Sequence, residues 1–79
     1  MSEIIFNKIA TLLSSKKGIN KELISIEQSF EDLGLDSLDA VELISNLEDE
    51  FNVTLPNIEL QQIKTIRQAV EGIKKSMQP

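Results

Sequence analysis

Cysteine, histidine, tryptophan and tyrosine are all missing from this 79-residue sequence. Without cysteine there can be no disulfide and no thiolate metal site, which is compatible with a reducing compartment. Without histidine the usual general base is gone, along with the Ser-His arrangement of nucleophilic catalysis and most zinc chemistry. Three phenylalanines are the only aromatics, so a core has to be assembled from Ile, Leu and Val. The glycines Gly18, Gly34 and Gly72 are too far apart to form a phosphate-cradling loop. The acidic residues do not follow the alternating ligand spacing of a calcium-binding EF-hand. No apolar run is long enough to span a bilayer. The start of the chain lacks a basic region, and Asn7 and Lys8 break its apolar stretch, so no signal peptide is expected. Together these absences predict a soluble cytoplasmic protein with no catalytic residue and no metal ligand of its own.

Basic residues are also missing from one long interval. Between Glu22 and Ile63 there is no Lys or Arg, and every acidic residue except Glu3 and Glu71 falls inside it. The formal net charge is −5, which argues against nucleic acid as a partner, because phosphate backbones require a basic face. Part of the molecule should therefore carry an acidic field. Such a field serves either solubility or the docking of basic patches on partner proteins.

A chain of this length is expected to form a single domain, residues 1–79. Ile5, Ile9, Leu12 and Leu13 recur at helical spacing, which predicts a first helix over about Glu3 to Lys17, with Gly18 as its stop. A long connection follows to Asp36. Its apolar residues Ile19, Leu23, Ile24, Ile26, Phe30 and Leu33 suggest that it is pinned to the core, with a short helical turn near Ser29 to Leu33. Lys21 to Ile24 can also be read as helix. A second helix is expected from Ser37 to Phe51, with Leu43, Ile44, Leu47 and Phe51 facing inward. Leu38 and Val41 sit to one side of that stripe. Asn52 can end the helix in the left-handed conformation. Asn57 can cap a short third helix to Gln62, and Thr65 can cap a fourth from Ile66 to Met77.

The stretch Gly34-Leu35-Asp36-Ser37-Leu38-Asp39 carries the functional signal. Asp36 and Ser37 are both good N-cap residues, and Asp39 and Glu42 suit the positive end of a helix dipole. On those two residues alone, Asp-Ser is simply a helix cap. The serine hydroxyl nevertheless lies where helix N-termini commonly hold anions, so a phosphate esterified to it would be well placed. Leu38 and Val41 are either core residues or a small apolar docking spot ringed by Asp36, Asp39, Glu42 and Glu48.

The whole run Phe30-Glu31-Asp32-Leu33-Gly34-Leu35-Asp36-Ser37-Leu38-Asp39-Ala40-Val41-Glu42-Leu43 resembles the phosphopantetheine attachment site of acyl carrier proteins, stand-alone bacterial type. The resemblance extends through Leu55-Pro56 and Ile63-Lys64-Thr65-Ile66 to nearly the whole chain. It implies an all-α four-helix bundle, three main helices plus one short one, with a long first loop. It also implies a covalent 4'-phosphopantetheine arm on Ser37, taken from coenzyme A, with Asp36 and Leu38 beside the attachment point. The arm would carry acyl chains as thioesters, so the protein would need no cysteine and would be no enzyme. Partners would be a phosphopantetheinyl transferase and acyl-processing enzymes with basic patches, docking on Asp36, Leu38, Asp39, Val41, Glu42 and Glu48 of a monomer. Two departures bear on the pathway. Leu35 stands where fatty-acid carriers often have a small residue, and the third helix is less acidic than usual. Type II fatty acid biosynthesis is the first expectation, and a polyketide or other specialised acyl pathway the second. A non-carrier acidic helical interaction module is the competing reading from another class.

Overall fold

The computed structural model describes residues 2–77. Among these described residues there are four α-helices, α1 Ser2–Lys17, α2 Ser37–Phe51, α3 Asn57–Gln62 and α4 Ile66–Met77, with a 3-10 helix at Lys21–Leu23. Each long helix follows from an apolar stripe. Ile5, Ile9, Ala10 and Leu13 of α1, Leu43, Ile44 and Leu47 of α2, and Ile66, Ala69, Val70 and Ile73 of α4 are all buried. The three helices pack against one another around this aliphatic centre. Each fully buried Ile or Leu contributes about 1.5–3 kcal/mol of transfer free energy. No polar or charged residue among those described is buried.

The ends of the helices carry local signals. Gly18 takes φ +69° beyond α1, and its N–H donates to the Ser14 carbonyl at 3.1 Å. Asn52 closes α2 in the left-handed conformation, φ 56°, ψ 49°. Thr65 Oγ1 accepts from Gln68 N–H at 3.1 Å, and Gln68 Oε1 accepts in return from the Thr65 amide at 3.1 Å, a reciprocal cap on α4. The third helix departs from the sequence expectation. Asn57 is its first helical residue rather than its cap; Pro56 occupies the N-cap position and no side chain caps the helix. The ring of Pro56 already fixes φ at −61°, so the backbone is preset for helix entry and the Pro56 carbonyl accepts from Glu59 and Leu60.

The connection from Gly18 to Asp36 is anchored at both faces. Ile24, Phe30 and Leu35 are buried, whereas Leu23, also apolar, is exposed. Phe30 N–H donates to the Lys64 carbonyl (2.9 Å), Ile66 N–H to Gln28 (3.0 Å) and Arg67 N–H to Ile26 (3.0 Å), around an isolated antiparallel bridge between Ser29 and Thr65. The expected turn after Ser29 is present. Ser29 and Asp32 exchange side-chain-to-backbone hydrogen bonds at 3.0 and 3.2 Å. Gly34 then turns the chain with φ +79°, a conformation that glycine adopts without a Cβ penalty. That turn delivers Asp36 and Ser37 to the start of α2.

Candidate attachment site at the start of the second helix

Two residues were candidates for the N-cap, and Asp36 holds that position. Asp36 Oδ1 accepts from the Asp39 N–H at 2.9 Å, and Asp39 Oδ2 accepts from the Asp36 N–H at 3.2 Å, a complete capping box. Ser37 is therefore the first helical residue, exposed, with its hydroxyl relieved of capping. Asp39 N–H is taken by Asp36, and Ala40 N–H by the Asp36 carbonyl at 3.1 Å. The Ser37 and Leu38 amides of the first turn are left for solvent or for an anion.

Lys17, at the end of α1, closes the back of this turn. Its Nζ lies 2.6 Å from Asp39 Oδ1. The hydrogen bond from Lys17, seconded by the Asp36 backbone amide, holds the Asp39 carboxyl below its ordinary value, and Asp39 in turn raises Lys17 above its own. Asp39 thus faces α1 and is only partly accessible, whereas Leu38 is 74% exposed and Val41 47%. The aliphatic pair stands outside the core.

Besides the buried stripe of Leu43, Ile44 and Leu47, α2 carries two further rows of side chains. Ser37, Val41 and Ile44 line a cavity of about 620 Å³ that reaches Phe30 and Leu35 on one side and Leu60 and Ile63 on the other; Glu48 continues the same row at helical spacing. Leu38, Glu42, Ser45 and Asp49 form an outward row, all exposed. Asp49 was not singled out from the sequence, although its spacing from Glu42 and Ser45 carries the signal. Glu48 is half-buried, and its Oε2 accepts the Leu55 N–H at 2.6 Å. Among the described residues no group of His, Cys, Asp or Glu is arranged to hold a metal ion, and no helix is long and apolar enough to cross a membrane.

The start of α2 in this small helical bundle thus presents an exposed serine beside a cavity, a place where a group can be attached. The family model described as phosphopantetheine attachment site matches residues 7–73. Acyl carrier proteins of Chlorobium phaeobacteroides, Chlorobium phaeovibrioides and Chlorobium luteolum are each 46% identical over 72 residues, covering 90% of this chain and 92% of theirs. The crystal structure of an acyl carrier protein from Thermotoga maritima superposes with a TM-score of 0.87 at 26% identity, over 96% of this chain and 89% of that one. The chain belongs to the acyl carrier protein family, and its cofactor is a covalently attached 4'-phosphopantetheine.

Proposed function

We propose that Ser37 is the residue that bears the arm, with Asp36 and Leu38 flanking the attachment point in a single acyl carrier domain. The observation that carries this reading is the capping box: Asp36 takes over the helix cap and leaves the neighbouring hydroxyl exposed at the positive end of α2. The Oγ of Ser37 would attack the phosphorus that bears the pantetheine arm in coenzyme A, forming a phosphodiester as the pyrophosphate bond breaks; adenosine 3',5'-bisphosphate leaves, and the serine proton passes to a base on the transferase. That division of labour fits a chain without histidine.

The outward row of α2 serves as the docking face of a cytoplasmic monomer. Leu38 on that row, with Val41 exposed beside it at the edge of the cavity, supplies an apolar spot, and Glu42 and Asp49 a charged rim for basic patches on the transferase and the acyl-processing enzymes. Asp36, Asp39 and Glu48 add their charge to the same field. Type II fatty acid biosynthesis is the pathway we favour, since the relatives are free-standing chains of similar length called acyl carrier protein. Buried Leu35, which lines the cavity beside Ser37 in place of a small residue, is the feature that favours a specialised pathway such as polyketide assembly instead.

Incubation with coenzyme A, magnesium and a broad-specificity phosphopantetheinyl transferase, followed by intact-mass measurement, tests the reading. One phosphopantetheine is expected on the wild type and none on Ser37→Ala. An unchanged wild-type mass, under conditions that load another carrier, would leave an acidic interaction module as the better account.

A further inference from the structure

The third helix is weakly held. None of its six side chains is buried and no side chain caps it. Leu60 within it, and Ile63 just after it, are half-buried and line one wall of the cavity beside Ser37. Its downstream end is tied at Lys64, whose carbonyl accepts from Phe30 at 2.9 Å and whose amide donates to Gln68 Oε1 at 2.7 Å. At its upstream end, Glu48 Oε2 takes the N–H of buried Leu55 at 2.6 Å. Among the described residues this is the one side-chain hydrogen bond from α2 to the linker between the two helices. A carboxylate acceptor makes such a bond stronger than a neutral one, and its loss would leave the partly buried Leu55 amide without a partner.

We propose that Glu48 is a positioning residue that fixes the Leu55-Pro56 linker and so sets where α3 closes over the cavity beside Ser37. This separates it from Glu42, whose side chain lies on the outward row and acts through its charge. Its importance to a carried acyl group rests on the reading of Ser37 given above, but the positioning role itself does not.

Amide hydrogen exchange on the full-length, unmodified protein tests this with two variants. Glu48→Ala removes the acceptor, while Glu48→Gln removes the charge but keeps an acceptor oxygen. In Glu48→Ala the Leu55, Leu60 and Ile63 amides should exchange about 10- to 100-fold faster, with Leu43 and Leu47 unchanged. In Glu48→Gln the same three amides should accelerate by less than about tenfold, and by less than in Glu48→Ala, because a weaker, neutral acceptor remains. Unchanged exchange in Glu48→Ala, identical behaviour of the two variants, or a uniform acceleration through every helix would each overturn the proposal. A protein that shows the predicted pattern yet gains no mass with coenzyme A and transferase would leave the positioning role standing and remove the reading of Ser37 as the arm site.

Discussion

Ser37 depends on its neighbours for its availability. Asp36 caps the helix, Asp39 completes the box, and Lys17 holds Asp39 from behind. Because the folded state lowers the Asp39 carboxyl below its ordinary 3.8, its contribution to stability is fully present above that value and is lost as pH falls through the lowered one. Lys17 is raised above 10.5, so its contribution persists below that value and disappears as pH rises through the raised one. The cap is therefore intact across the neutral range and loosens at strongly acid pH. Replacing Lys17 with Met should move the Asp39 titration part of the way back towards 3.8, followed through its carboxyl carbon by NMR. An unmoved titration would show that the ion pair does not act in solution. The sequence narrowed the cap to Asp36 or Ser37, since either side chain has a capping oxygen. It could not pair Lys17 with Asp39, because that contact exists only once α1 lies against α2.

Along α2 run an inner stripe that holds the bundle, a row along the cavity and an outward row open to solvent. Leu47 is completely buried, so Leu47→Ala should cost about 2–5 kcal/mol of unfolding free energy in a urea titration. Leu38→Ala, at an exposed position, should change it by less than about 0.5 kcal/mol. Equal costs would mean that Leu38 packs into the core. The bounds of α2 and its inward stripe were legible because periodicity, an Asp-Ser start and an Asn stop coincide there. Two features were not. Pro56 replaced Asn57 as the cap of α3, because a residue with preset φ and a free carbonyl can start a helix without a side-chain oxygen. From the sequence, Glu42 and Glu48 are two acids on one helix; the fold turns Glu42 outward and bends the chain so that Leu55 meets Glu48.

At the scale of the molecule, the missing lysines and arginines between Glu22 and Ile63 shape the surface. The ion pairs Lys8–Glu50, Lys17–Asp39, Arg67–Glu27 and Lys75–Glu59 each join a flanking cation to an acid of that interval. Glu42 and Asp49 have no such partner among the described residues, so the outward row of α2 keeps its charge. Exposed charges of this kind act mainly on association rate and are screened by salt. Glu42→Lys combined with Asp49→Lys should weaken binding to a phosphopantetheinyl transferase about tenfold at low salt, with the difference shrinking above about 0.3 M; affinity that ignores both changes would move the docking face elsewhere. Attachment of the arm, as proposed, comes down to a single oxygen atom, Ser37 Oγ. The interval without Lys or Arg contains four serines, Ser25, Ser29, Ser37 and Ser45, so a tryptic digest leaves them on one peptide and fragmentation is needed to tell them apart. Tandem mass spectrometry of the transferase-treated protein should find the phosphopantetheine on Ser37 alone; finding it on any other serine, or still present in Ser37→Ala, would contradict the account.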